Sequence, residues 1–358
     1  MQRIKTPRIY VDYISWLNAL GWNMHPDNTG IGFNVDKIYE KNITANTNDD
    51  IATFGNFLSS SEEQLFLPKE LKYNFCAILG HNFMDKGILS GARRISEDGT
   101  GYHLCYPVMS NIINCGETGG LAKIKPEYNG FSIMELTSHN TFSTDGHETD
   151  IIEWSMGVSE AYENPEHLYK FGSWAIGGFY DFPNAPDLQL TQTFGMEGIT
   201  NQTTKGGVSL SDVKYKGNPK WGGELGAWEL DDGSGNAQLN ARSGRRSWDL
   251  SFSFISNTNM FPTSSSGSGI ITDPDEYDSS NISADGTYTD DTLLVGDDFV
   301  SAVWNRTMGG RLRFLLQLDK NNSSADQFAI CKFQQDSLDI QRVANNLYNI
   351  KLKIREVW

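Results

Sequence analysis

Two stretches of the chain alternate between large apolar residues and small or charged ones. Trp248, Leu250, Phe252 and Phe254 are interleaved with Ser247, Asp249, Ser251 and Ser253. Four steps of period two put one set on each face of an extended strand and argue against a helix. Tyr348, Ile350, Leu352 and Ile354 are interleaved with Asn349, Lys351, Lys353 and Arg355. This predicts a strand that is apolar inward and basic outward. Asn345-Asn346 precedes it as a turn, and with residues 336–343 the end of the chain reads as a hairpin. Phe75-Cys76-Ala77-Ile78-Leu79 is a short continuous apolar run ended by Gly80, the pattern of a strand buried on both faces. Further strands are expected at 102–108, 121–124, 132–136 and 151–156. Turn signals separate them at Asp98-Gly99, Gly119-Gly120, Asn129-Gly130 and Asp145-Gly146. The one helical pattern is Ile9, Tyr13, Trp16, Leu17 and Leu20, with Gly21 as its stop. A helix this short must dock on something.

The expected fold is mainly β and has three parts. Residues 1–36 form a helix and an arm, residues 37–156 a β-sandwich, and residues 157–358 a second β unit. An acidic insertion interrupts the last part at about 258–295. It opens with the flexible tract Ser264-Ser265-Ser266-Gly267-Ser268-Gly269. Asp273, Asp275, Glu276, Asp278, Asp285, Asp290 and Asp291 follow.

Composition agrees with short strands joined by many turns. Gly supplies 35 and Asn 29 of the 358 residues, and aromatics reach 12%, too many for a disordered chain. With 29 Lys+Arg against 45 Asp+Glu the formal net charge is −16, which argues against a nucleic-acid coat or a binder of anionic membranes. No stretch approaches the roughly 18 apolar residues of a membrane-spanning helix. The basic N-terminus lacks the uninterrupted apolar core of a signal peptide. Cys76, Cys105, Cys115 and Cys331 form no C-x-x-C pair and read as reduced, mostly buried thiols of a protein made in a cytoplasm.

Candidate chemistry is sparse. His139, Asp145, His147, Glu148 and Asp150 fall within twelve residues, but their spacing matches no zinc signature, and a solvated loop is the simpler reading. His81 is either a lone base or a polar group fixing a turn or bonding inside the sandwich. Asp273-Pro-Asp275-Glu-Tyr-Asp278 lacks the central Gly and terminal Glu of a calcium loop. Gly222-Gly223-Glu-Leu-Gly226 lacks a phosphate-holding Lys, and no nucleophile elbow is present. No cofactor or metal is therefore expected. Arg242, Arg245 and Arg246 form a basic cluster able to pair with acidic groups of a neighbouring subunit, or simply to flank a strand in solvent. Trp221, Trp228, Trp248, Trp304 and Trp358 all fall in the second unit, where core and subunit interface are their usual places.

Two stretches resemble a known class. Asn74-Phe75-Cys76-Ala77-Ile78-Leu79-Gly80-His81-Asn82-Phe83 resembles a strand and turn of a galactose-binding-like (discoidin-type) β-sandwich found in tailed-phage structural proteins. The second stretch begins with Ser243-Gly244-Arg245-Arg246-Ser247-Trp248-Asp249-Leu250-Ser251-Phe252-Ser253-Phe254. It continues through Asp298-Phe299, Trp304-Asn305, Met308-Gly309-Gly310 and Phe314, then Phe328-Ala329-Ile330-Cys331-Lys332-Phe333, and closes with residues 347–358. It resembles tail-tip proteins of marine tailed phages and, more distantly, the ring domain of distal tail proteins. Many of those carry a galectin-like domain after the ring domain, whereas here the sandwich precedes it.

The resemblance implies a virion tail component, assembled in the host cytoplasm. It would form a homo-hexameric ring between the tail-tube and tail-hub proteins, with no catalytic activity. Arg242, Arg245, Arg246, Lys351, Lys353, Arg355 and Trp358 are the expected subunit-interface residues. The alternative is a carbohydrate-binding adhesin or adaptor for a host surface glycan, with Tyr102, Tyr106, Tyr128 or Phe142 stacking on sugar rings. A third reading uses Asp145, Glu148 or Asp150 as the paired carboxylates of a glycan-degrading enzyme.

Overall fold

The computed structural model describes residues 4–22, 52–54, 61–68, 71, 73–81, 88–96, 102–108, 112–118, 121–126, 130–136, 149–158, 169–171, 173–195, 199–213, 245–262 and 296–357. Among them the chain is mainly β, as expected. In chain order the first ten strands are β1 (Arg8–Asp12), β2 (Ala52–Phe54), β3 (Ser61–Pro68), β4 (Phe75–His81), β5 (Ile88–Ser96), β6 (Tyr102–Pro107), β7 (Ile112–Thr118), β8 (Leu121–Pro126), β9 (Gly130–Leu136) and β10 (Thr149–Val158). The second ten are β11 (Tyr169–Phe171), β12 (Ser173–Asp181), β13 (Thr191–Gly195), β14 (Ile199–Thr203), β15 (Ser209–Val213), β16 (Arg245–Ser256), β17 (Phe314–Gln317), β18 (Phe328–Phe333), β19 (Ile340–Ala344) and β20 (Leu347–Glu356). The described helices are α1 (Tyr13–Ala19), a single turn α2 (Asn257–Met260), a π-helix at Val300–Asn305 and a 3-10 turn at Ala325–Gln327.

Sixteen strands form one antiparallel sheet. Its main path is β13-β16-β20-β18-β17-β1-β12-β4-β9-β6-β5-β10-β3. The hydrogen bonding is continuous where the sequence places a domain boundary at 156–157, because β12 pairs with β4 on one edge and with β1 on the other. The N-terminal segment is not only a helix and an arm. Ile9, Tyr10 and Val11 belong to β1, which lies between β12 and β17 and is buried on both faces. The helix starts four residues after Ile9. Asp12 caps it, accepting from the Ile14 backbone N–H at 3.1 Å and from Ser15 Oγ at 2.5 Å. Gly21 ends it at φ 81°, the left-handed stop expected from the sequence.

The partner the short helix needs lies within the chain. Tyr13, Ile14, Trp16 and Leu17 are buried, and the Arg306 guanidinium lies 4.7 Å from the centre of the Tyr13 ring. Gly177 in β12 makes room for this packing. A Cβ there would stand 1.9 Å from the Val11 carbonyl oxygen and 3.0 Å from the Tyr13 ring. Gly177→Ala must push two central strands apart, and we expect a loss of roughly 1–3 kcal/mol in urea unfolding.

β4 is buried along Phe75–Leu79 as its apolar run predicts, and it pairs with β9 and β12. β19 and β20 form the expected C-terminal hairpin, with Asn346 at φ 57° in the turn. Its first strand is shorter than 336–343. Trp248, Leu250 and Phe252 face the core from β16, but the alternation fails at its last step. A bulge between Phe252 and Ile255 shifts the register against β20, so that Ile255 is buried and Phe254 is 63% exposed. Cys76 and Cys331 are free and buried. Burial pushes the Cys76 thiol up to about 12 although Trp174 Nε1 donates to its sulfur at 2.8 Å. Cys105 and Cys115 lie in β6 and β7. Of the acidic insertion expected at 258–295, residues 263–295 lie outside the described residues.

Candidate functional site

The outer face of the β16–β20 pair carries a polar trough of about 730 Å³. Period-two alternation builds its floor: with Phe252 and Ile350 turned to the core, Ser251, Ser253, Asn349 and Lys351 line the opposite side. Ser251 and Lys351 are cross-strand partners. One wall is the irregular segment 186–189, which runs beside β16 before the chain enters β13. The Asp187 backbone N–H donates to the Ser251 carbonyl at 2.8 Å, and Ser253 Oγ donates to Asp187 Oδ2 at 2.8 Å. The other wall is formed by Asp339 and by Gln341 of β19.

Two apolar residues on the segments that build this polar trough are exposed. Leu188 in the first wall is 100% exposed. Phe254 follows the floor residue Ser253, and its backbone N–H donates to Asn349 Oδ1 at 3.0 Å. Phe254 has φ 59°. A bulky residue in that region costs on the order of 1–3 kcal/mol, so the bulge displays the ring at the expense of local backbone strain. The trough offers hydrogen-bond donors, acceptors and two carboxylates. Among the described residues no group of three or more His, Cys, Asp or Glu side chains is arranged to hold a metal ion.

The expected interface residues separate. Lys351 and Lys353 are exposed on the outer face and Arg355 is partly buried, opposite Ser251, Asp249 and Ser247 respectively. Arg245 is partly buried at the start of β16. Arg246 has to be corrected: it is fully buried and engaged within its own chain. Its Nη2 donates to Glu356 Oε1 at 2.9 Å and its Nε to Glu356 Oε2 at 3.1 Å, while the remaining donors reach the Asp326 and Phe328 carbonyls at 3.0 and 2.8 Å. A guanidinium buried and bonded in this way is not presented to a neighbouring subunit. Arg242 and Trp358 lie outside the described residues.

The sequence-based glycan and enzyme candidates are not brought together among the described residues. Tyr102 and Tyr106 lie on β6, opposite Ile95 and Glu135, while Tyr128 and Phe142 lie outside the described residues. Asp150 lies on β10 opposite Leu67 and Ser96, while Asp145 and Glu148 lie outside. So do Trp221, Trp228 and Gly222–Gly226. His81 is buried, and its Nε2 is 2.7 Å from Ser132 Oγ. Burial pushes its pKa down to about 3. A neutral imidazole bonded inside the sheet fits the polar structural reading, not an accessible base. The trough itself was invisible to motif reading. Its residues come from three distant segments, and only the outward polar stripe of β16 hinted at it.

The chain matches no known family model, and no curated protein or solved structure is significantly similar to it. No described helix is long and apolar enough to cross a membrane.

Proposed function

We propose that this protein is a structural, non-catalytic component of a bacteriophage tail. It assembles in the host cytoplasm into a homo-hexameric ring near the tail tip, between the tail-tube and tail-hub proteins. The resemblance of residues 74–83 to a galactose-binding-like sandwich of tailed-phage structural proteins, and of residues 243–358 to tail-tip proteins, supports the phage assignment. The observation that carries the assembly reading is the β14–β15 hairpin. Among the described residues these strands pair only with each other, and the side chains from Thr200 to Asp212 are exposed, including Val208 and Leu210. An isolated two-stranded hairpin is marginal in water, so such an arm gains its stability from a neighbour. Among the described residues β13, beside it in the chain, is an edge strand of the main sheet, and Phe194 on it is half exposed.

Sedimentation and negative-stain imaging test the proposal. The full chain is expected to form rings. Because Ile199 and Val213 are paired neighbours, a short Gly-Ser linker can replace the hairpin without stretching the chain, and that variant is expected to be a monomer that still unfolds in one cooperative transition. A full chain that stays monomeric at high concentration and forms no ring with the tube protein would overturn the reading.

A further inference from the structure

The trough on the β16–β20 face shares no residue with the β14–β15 hairpin, and of the expected interface residues only Lys351 lines it. We propose that it is a binding site for an uncharged saccharide. The volume of about 730 Å³ lies in the range of small-molecule sites and accommodates a few sugar rings. A sugar presents hydroxyls at its edge and a C–H face on each side, so its site needs carboxylates or amides beside an exposed aromatic or aliphatic face. Asp187, Asp339, Gln341 and Asn349 supply the first, and all line the trough. Leu188, which lines the trough and is fully exposed, supplies the second, joined by the exposed Phe254, which follows the floor residue Ser253 and whose backbone N–H is bonded to Asn349.

Three features argue against an ordinary solvated surface. The ring is exposed where strict alternation would bury it, and the backbone adopts φ 59° to expose it. Asp187 is anchored through Oδ2 to Ser253, which fixes its carboxylate at the wall of the trough. Asn349 is oriented by its bond to Phe254, which fixes where its amide nitrogen can donate. Charge sets the ligand class. Two carboxylates against the single Lys351 leave the trough acidic, so neutral or N-acetylated hexoses are favoured and uronic acids are repelled.

The test uses the full chain, saturation-transfer NMR, and three probes: maltohexaose, N-acetylchitohexaose and hexagalacturonate. At about 5 mM probe, enough for a millimolar site, at least one neutral hexaose is expected to bind and hexagalacturonate is not. Phe254→Gly removes the ring and suits φ 59°. It is expected to weaken neutral-sugar binding by about tenfold or more while the melting temperature holds or rises. Asp339→Asn is expected to weaken binding, and Lys353→Ala, outside the trough, to leave it unchanged. The proposal is overturned if neither neutral hexaose binds, or if binding survives both Phe254→Gly and Asp339→Asn. It is also overturned if Phe254→Gly abolishes self-association and leaves sugar binding intact, which would make the trough a subunit contact. Ring formation is read separately by sedimentation, so failure here leaves the assembly reading standing.

Discussion

Glu356→Ala is expected to destabilise the fold by about 3–5 kcal/mol, measured as a lower urea midpoint with an unchanged slope. The reason is the charge left behind. Glu356 is 2% exposed and accepts from the Arg246 backbone N–H, Nε and Nη2. Removing the carboxylate strands a guanidinium that is itself 0% exposed and cannot lose its proton. The Asp326 and Phe328 carbonyls and the Trp248 ring, 5.3 Å away, hold it in place, so it cannot swing out to water cheaply. The double variant Arg246→Met, Glu356→Leu should recover most of the loss, because an apolar pair of similar volume avoids the desolvation of both ions. A double variant no more stable than Glu356→Ala would show that the contacts of Arg246 with the Asp326 and Phe328 carbonyls, not the ion pair, hold this end of β16 in place.

That ion pair also marks how far local sequence reading reaches. The two partners lie 110 residues apart, and Arg246 sits in a run of arginines that reads as surface charge. Nothing local distinguishes it from Arg245 except parity: Arg246 shares the inward set with Trp248, Leu250 and Phe252. β16, β20 and β4 were legible because each has a simple boundary condition. The first two have one wet and one dry face, and β4 has two dry ones. Phe254 broke the rule because a one-residue bulge reverses the facing of everything after it, and no residue type nearby announces the bulge. Ile9 falls into the helical pattern because β1 and α1 abut without a turn, leaving Ile9 and Tyr13 four residues apart. The discriminating signals were present in the β-branched Ile9 and Val11 and in Asp12 as a ready cap. The trough had no such signal. Its walls and floor meet only when β13's approach, β16 and the β19–β20 hairpin are assembled.

Lowering the pH from 6.5 towards 4 is expected to weaken the fold by about 1.4 kcal/mol per unit through His81 alone, and His81→Gln should remove that slope. The sign follows from where the proton binds. Burial lowers the folded-state pKa of His81 from 6.5 to about 3. Above pH 6.5 the imidazole is neutral in both states and titration costs nothing. Between 6.5 and about 3 the unfolded chain takes up a proton that the folded sheet excludes, so stability falls as pH falls. Asp181 also weakens the fold in acid, but lower down. Although burial works to raise its carboxyl, Arg8 and Lys320 hold it below 3.8, so its contribution is lost only beneath that value. Asp12 works in the opposite sense. Burial raises its carboxyl although Arg313 opposes this, so it favours folding below 3.8 and that contribution is lost as pH rises through its folded-state value. The measurement is therefore a difference: urea unfolding of the native chain and of His81→Gln at pH 7, 5.5 and 4.5. Gln keeps a hydrogen-bonding group near Ser132 and does not titrate, so its loss of stability should be the same at each pH apart from the missing proton. The two curves should converge as the pH falls. Parallel curves would mean that His81 is protonated in the folded sheet, and they would return it to the set of accessible bases.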